Sequence, residues 1–337
     1  MVAGPRVRRA NEKRHKVSIL GLGTMGKRHA RVLGALPDRF EVVGGFDVRS
    51  DVPWPEELAP IERMPSMEEA IARADAVVVA TPIEAHGVPV TAALGAGRHV
   101  LVEKPLCATA REAYALAGAA RGAARLYVGH SERFNPVVRT LARLVARDDL
   151  RAIDLRRVGP SSASGVGVLL NLGVHDFDIA AYLGGGEVQL RAAIGHRTAG
   201  FEDLAHALVS IAGGAVGHLY VDRTVPTRQR TILVSTQRWV YEGDLLAHRL
   251  VRAPRLPGRG PRPAAPPQSA RTDVPLPLDE PLTAQALAFA DALDGAFSRE
   301  IALGTDGARA VDLAEQAARQ CAAAAEEPAS ELRGAPR

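Results

Sequence analysis

Two short constellations carry the residue types that move protons. The first is Glu103-Lys104-Pro105, which follows the apolar run His99 to Val102. The proline biases Lys104 toward an extended conformation. A lysine at the carboxyl end of a strand can hydrogen-bond a hydroxyl and, when partly buried or beside a cation, titrate in a catalytic range. The second is Asn171-Leu-Gly-Val-His175-Asp-Phe-Asp178, where spacings of four and three put Asn171, His175 and Asp178 on one helix face. Histidine is the usual proton-transfer residue near neutral pH, and a neighbouring amide or carboxylate fixes its tautomer. Asn171 and either Asp178 or Asp176 supply such neighbours, and Gly173 leaves bare helix beside them for a ligand. Lys104, His175, Asn171 and Asp178 are the candidate catalytic residues, with the choice of general base between Lys104 and His175 open.

Such groups work only if strand ends bring them to one crevice. Residues 16–47 describe the elements that do so: an apolar strand, the string Gly21-Leu-Gly23-Thr24-Met25-Gly26, a helical stretch, then Phe40 to Asp47. This order is a dinucleotide fingerprint. Gly21 makes the tight turn, Gly23 lets backbone approach a pyrophosphate, and Gly26 lets helix pack on strand. Thr24 and Met25 open the helix whose N-terminus holds the phosphates. Asp47 stands roughly twenty residues on, where a carboxylate accepts from a ribose 2′-hydroxyl and repels a 2′-phosphate. The preferred cofactor is NAD, with NADP kept open by Arg28 and Arg49, whose guanidinium groups could hold a 2′-phosphate. Thr81-Pro82 and His86 follow the third strand and are expected to line the nicotinamide side, as are Glu103 and Lys104. After the last parallel strand, Arg133 and Asn135 join Lys104, Asn171 and His175 as substrate-binding candidates. Arg223, Arg228 and Arg230 read as a solvated face.

Alternation of short apolar strands with amphipathic stretches from Val17 to Gly129 predicts a parallel sheet covered on both faces. The strands are Val17 to Leu20, Glu41 to Phe46, Ala76 to Ala80, His99 to Val102 and Leu126 to Val128. The second half predicts an α+β arrangement. Helices near Pro136 to Arg147 and Leu170 to Leu183 flank a strand at Ile153 to Val158, and five strands from Val188 to Tyr241 follow with Gly-rich turns, arguing an antiparallel sheet. Segments Pro281 to Ala296 and Asp306 to Ala325 have helical spacing and can pack on either domain. The expected organisation is a basic flexible tail (1–15), a dinucleotide-binding domain (16–130), a substrate and oligomerisation domain (131–325) and a flexible tail (326–337). Within 131–325, residues 252–271 are expected to be a Pro/Arg-rich flexible loop and 281–325 the terminal helices.

The balance of 42 Lys+Arg against 38 Asp+Glu leaves +4 over 337 residues, much of it in the first 16 residues and the Arg252 to Arg271 stretch. Basic residues without interleaved aromatics argue against a nucleic-acid partner. No apolar run reaches the roughly 20 residues of a membrane span. Cys107 and Cys321, far apart and without metal-type partners, fit a reducing cytoplasm and no bound metal.

Together, Gly21 to Gly26, Thr81-Pro82, Glu103-Lys104-Pro105 and His175-Asp-Phe-Asp178 resemble the glucose-fructose oxidoreductase and inositol dehydrogenase family, Gfo/Idh/MocA. The resemblance runs from about Lys16 to Ala325. It implies an N-terminal Rossmann domain, a C-terminal domain on an open, mostly antiparallel sheet, a Lys104/His175 catalytic pair and a homodimer or homotetramer. Val128 to Pro136, Arg157 to Pro160, Gly165 to Val168 and Thr224 to Thr231 look most like the UDP-N-acetylglucosamine 3-dehydrogenase group. Asn171 departs from the aspartate of many members, although an amide still orients a hydroxyl. The implied activity is NAD(P)-dependent oxidation of a sugar secondary hydroxyl, of a nucleotide sugar first and of an amino sugar or cyclitol next. Two further readings keep the fold: a glycosidase that retains NAD, and a non-catalytic sugar or NAD sensor.

Overall fold

The computed structural model describes residues 13–49, 61–120, 122–146, 148–161, 165–256, 270–296 and 298–326. They divide into two compact units, one running to Phe134 and including Asp279–Ala308, the other formed by Asn135–Leu278 and the residues from Arg309 on.

The first unit is built on a six-stranded sheet of β1 (His15–Leu20), β2 (Phe40–Phe46), β3 (Ala76–Val79), β4 (His99–Val102), β5 (Leu126–Val128) and β14 (Ala302–Leu303). Its order is β14-β5-β4-β3-β1-β2, all parallel except the short edge strand β14. Between successive strands run α1 (Thr24–Gly34), α2 (Met67–Ala72), α3 (Gly87–Gly95) and α4 (Ala110–Ala117). Strands covered on both faces need continuous apolar runs. β3 meets that need, since all four of its residues, Ala-Val-Val-Val, are fully buried. Because β1 lies between β2 and β3, chain connections leave it in opposite directions, the switch point at which such sheets open a ligand crevice.

The helix α7 (Pro281–Leu293) belongs to this unit, as do the first residues of α8 (Gly304–Glu326). The reason is aromatic packing and charge. The Phe289 ring lies 6.3 Å from that of Phe40 and edge-on at 5.7 Å to that of Tyr127. The buried Arg39 guanidinium bonds Asp291 at 3.0 Å and Asp294 at 2.8 Å, and His15 Nε2 lies 2.9 Å from Asp294. The expected division is therefore corrected at three points: the first unit runs through Phe134, it takes residues 279–308, and His15 is a buried strand residue rather than tail.

The second unit is an eight-stranded sheet with β6 (Leu150–Val158), β7 (Val188–Thr198), β8 (Phe201–Ile211), β9 (Ala215–Asp222), β10 (Gln229–Thr236), β11 (Trp239–Asp244), β12 (Arg249–Pro254) and β13 (Thr272–Asp273). The order is β13-β12-β11-β10-β6-β9-β8-β7, antiparallel except for the β6/β9 pair. Alternation on β8 sends Ala205, Ala207, Val209 and Ile211 into a core shared with α5 (Pro136–Val145), α6 (Val174–Gly184) and the later part of α8. The opposite face keeps Ile194, Leu208, Val216 and Leu233 exposed. Arg252 to Pro254, expected as loop, close β12, because their amides and carbonyls pair with β11. Arg271 binds Glu242, while 257–269 lie outside the described residues, as do most of the two tails. Among the described residues, no helix is long and apolar enough to cross a membrane and no cluster of side chains suits a metal ion.

Candidate active site

In the first unit the fingerprint turn is shaped by close approach. Gly21 has φ +90°, and a Cβ there would lie 2.7 Å from Ala80 carbonyl and Thr81 amide atoms. A Cβ on Gly26 would stand 1.9 Å from the Gly21 carbonyl oxygen, so α1 can begin where it does only with glycine there. Gly23, the cap of α1, has nothing within 4 Å of a Cβ position. That open cradle at a helix N-terminus, with Thr24 exposed and Met25 half-buried on the first turn, fits a pyrophosphate. Thr81 adds a second fit, since its Oγ1 is buried without a hydrogen-bond partner beside the same turn. Pro82 is exposed next to it.

Asp47 directly follows β2 and reaches back over the turn, where Oδ2 accepts from the Leu22 amide at 2.8 Å. Its Oδ1 accepts from the Arg49 amide at 3.0 Å and from Arg49 Nε at 3.2 Å. Burial pushes its pKa up, but the Arg49 side chain and the two amides outweigh burial and hold it below the usual carboxylate range. An ionised carboxylate fixed in this way suits a ribose diol.

Lys104, half-buried at the end of β4, has a neighbour that sequence reasoning missed. His29, on α1, places Nε2 2.7 Å from Glu103 Oε1, and the Lys104 amide donates to Glu103 Oε2 at 3.3 Å. Both side chains are buried. Burial works against the Glu103 charge, yet the His29 hydrogen bond and the nearby charges of His29 and Lys104 hold its pKa below the ordinary value. Helix α1 is thus tied to the lysine-bearing loop. The available signal was the Gly26 to His29 spacing of three, which puts His29 on the helix face that Gly26 presses to the strands.

Three candidates are buried and hydrogen-bonded within the protein. His86, expected to line the cofactor, is 1% exposed, with Nε2 3.0 Å from the Thr81 carbonyl and Nδ1 3.1 Å from that of Pro105. It braces the loop after β3 to the loop after β4. Arg133 is 4% exposed and donates to the Arg299 carbonyl at 3.2 Å and to Asp306 at 3.4 Å, so it holds the start of α8. Asn135 caps α5 through the Val137 amide at 3.0 Å and donates to the Leu245 carbonyl at 2.9 Å. Each is a polar group satisfied inside its own unit, as burial requires.

In the second unit, His175 and Asp178 lie buried on α6 one turn apart. The helix does not extend regularly back to Leu170 as the spacing predicts. Leu169–Gly173 form a wide π turn, the kind of helical irregularity frequent at functional sites. Asn171 sits on that turn and donates from Nδ2 to Ser161 Oγ at 2.7 Å. Asp176 is bound to Arg157, whose Nε donates to Oδ1 at 2.9 Å. Arg223 is no solvated residue: it bonds Asp203 at 2.7 Å, the Val166 carbonyl at 3.0 Å and the Glu202 carbonyl at 2.9 Å. Glu202 in turn accepts from the Leu169 amide at 3.2 Å and fills the space a Cβ on Gly167 would take. The segment leading to Asn171 and His175 is thereby pinned from β8 and from the residue that follows β9.

Comparison with known proteins agrees with both halves. Residues 15–130 match the profile of the oxidoreductase family with an NAD-binding Rossmann fold, and residues 144–241 match the GFO/IDH/MocA C-terminal domain. UDP-N-acetylglucosamine 3-dehydrogenase from Acidithiobacillus ferrooxidans is 28% identical over 242 residues, covering 70% of this chain and 75% of that protein. Its solved structure superposes with a TM-score of 0.80 at 25% identity, covering 92% of this chain and 99% of that one. The scyllo-inositol 2-dehydrogenase (NAD(+)) of Bacillus subtilis is 24% identical over 272 residues, covering 69% of this chain and 75% of that protein. Levoglucosan dehydrogenase in complex with NADH and L-sorbose shares the fold, with a TM-score of 0.77 at 18% identity and coverage of 92% and 97%. A glycine turn after β1 left open at Gly23, a lysine after β4 and the mostly antiparallel second sheet thus meet in one chain, an NAD-binding oxidoreductase that belongs to the Gfo/Idh/MocA family.

Proposed function

We propose that this enzyme oxidises a secondary hydroxyl of a nucleotide sugar, UDP-N-acetylglucosamine at C3 being the leading candidate, to a ketone. The observation that carries the choice is that one relative, a UDP-N-acetylglucosamine 3-dehydrogenase, resembles the chain both in sequence and in structure across both units. NAD, when bound, supplies the hydride acceptor. It would be held by Gly21, Gly23, Thr24, Met25 and Gly26 at the phosphates, by Asp47 at the ribose, with Arg49 steadying that carboxylate, and by Thr81, Pro82 and Glu103 along the strand ends.

The protein's own work is proton transfer and orientation. His175 takes the hydroxyl proton as general base, and Lys104 donates a hydrogen bond to the same oxygen and stabilises the charge that develops there. Glu103, ionised and held by His29, fixes the backbone from which Lys104 projects. Asn171, steadied by Ser161, orients the substrate hydroxyls. Asp178, one turn beyond His175, supports the imidazole. A second copy would cover the exposed Ile194, Leu208, Val216 and Leu233, giving a homodimer or homotetramer, which light scattering on the purified protein would read. The two buried free cysteines fit a reducing cytoplasm as the compartment.

The test is NAD and NADP reduction followed by absorbance with UDP-N-acetylglucosamine, free amino sugars and inositols. Turnover confined to the nucleotide sugar supports the proposal. Turnover confined to inositols moves the substrate to the cyclitols, which the inositol dehydrogenase likeness favours as second reading. Tight cofactor with no net reduction points to a retained-NAD glycosidase or a sensor.

A further inference from the structure

We infer that Arg157 is a positioning residue: through its buried ion pair with Asp176 it sets the direction in which the first turn of α6 presents His175. The inference rests on the dehydrogenase reading for the task of His175, and on the geometry of the second unit alone for everything else.

Arg157 lies on β6 and is 2% exposed, while Asp176 lies on the first turn of α6 and is 1% exposed. Nε and Nη2 of Arg157 each stand 2.9 Å from the same carboxylate oxygen, Oδ1. Taking both charges out of water is costly, and an apolar pair of equal volume would bind helix to strand as well or better. Attachment alone therefore does not account for the pair. What an apolar contact lacks is direction. Phe177, Ile179, Ala180 and Leu183 hold α6 to the core, and such packing leaves a helix freer to rotate than a charged hydrogen bond does.

The start of α6 needs such an anchor. Its cap position is Gly173, which makes no side-chain hydrogen bond, and the preceding turn is the wide π turn Leu169–Gly173. The register of the first turn is thus not set by a side-chain cap. Successive helical side chains point about 100° apart, so holding Asp176 toward β6 aims His175 to one side of that contact. A carboxylate in the first turn also complements the helix dipole, which steadies Asp176 where Arg157 needs it. Two nitrogens of the rigid arginine plane converge on that one oxygen, an arrangement that the single nitrogen of lysine cannot reproduce.

The experiment uses the full-length protein as wild type, Arg157→Lys, Arg157→Gln and the double variant Arg157→Met/Asp176→Leu. Its readouts are melting temperature, kcat and KM for NAD and for the best substrate, and the imidazole resonances of His175 by ¹⁵N-correlated NMR. The double variant is expected to melt within about 5 °C of wild type. Its kcat should fall at least about tenfold while the KM for NAD, which is held by the first unit, stays within about twofold. The His175 resonances should move, and Arg157→Lys should retain more activity than Arg157→Gln. A folded double variant with unchanged kcat and unchanged His175 resonances overturns the inference. Should the double variant not fold, the two single variants decide: a folded Arg157→Gln with wild-type kcat and His175 resonances overturns it, and a fall in kcat with shifted resonances upholds it. If wild type turns over no polyol, the dehydrogenase reading fails, and the His175 resonances alone decide whether Arg157 positions the ring.

Discussion

Gly23 and Gly26 stand three residues apart in one turn yet should fail differently when given a methyl group. In Gly26→Ala the new Cβ would meet the Gly21 carbonyl oxygen at 1.9 Å, whereas real Cβ contacts essentially never fall under 3.0 Å, so about 1.1 Å must be yielded. The obstacle is backbone, in a turn already pressed against Ala80 and Thr81, so it cannot swing aside as a side chain does. Overpacking of this kind costs about 1–3 kcal/mol, offset by up to about 1 kcal/mol of alanine helix propensity. A net loss of about 1–2 kcal/mol lowers the melting temperature by about 2–8 °C in a unit of this size. In Gly23→Ala the Cβ meets nothing within 4 Å, so the ligand-free protein should melt at nearly the wild-type temperature. The same methyl occupies the space through which backbone approaches a pyrophosphate, and NAD affinity should fall at least about tenfold, or about 1.4 kcal/mol. Thermal melts of ligand-free protein and calorimetric titration with NAD separate the two effects. Wild-type NAD affinity in Gly23→Ala, or wild-type melting of Gly26→Ala, would refute the reasoning.

Lys104→Met and His175→Ala should each lower kcat by about 100-fold or more with NAD affinity within about threefold, and turnover within about tenfold of wild type would remove that residue from catalysis. Asp47→Asn should narrow the preference for NAD over NADP by about tenfold in the ratio of Kd values; an unchanged ratio would show that Asp47 does not face the ribose. Glu103, whose pKa is lower folded than unfolded, adds stability above the unfolded value of about 4.3 and loses it as pH falls through the folded one. Wild type should therefore lose melting temperature more steeply than Glu103→Gln as pH is lowered below about 4.5, and parallel curves would contradict the His29 pairing. Burial, with Glu112 assisting, pushes the Cys107 thiol up to about 12, and burial pushes Cys321 up to about 11. Native protein should react with iodoacetamide at pH 8 far more slowly than unfolded protein, as mass spectrometry would read, and equal rates would contradict that burial.

Period and punctuation made much of this molecule legible. The fully buried Val and Ala run of β3, the alternation on β8 and the glycine string before α1 each report a local geometry, because side-chain direction repeats every two residues on a strand and every 3.6 on a helix. Lys104 before its proline and His175 on its helix were legible for the same reason, and the family resemblance rested on those local strings. What no local pattern contains is the partner across the fold. His29 meets Glu103 at a separation of 74 residues, and Arg157 meets Asp176 from a different element. His86, Arg133 and Asn135 have the residue types of a binding site, and only the carbonyls and carboxylates that fold around them decide that they are spent on structure. Likewise α7 has an apolar face that could have served either unit, until Phe40, Tyr127 and Arg39 formed the surface that takes it. Sequence alone determined much of the local backbone geometry and the chemistry on offer; tertiary structure decided the π turn before α6, the strand at 252–254 and which polar groups are spent within the fold, because a buried polar group must be satisfied by whatever the fold brings to it.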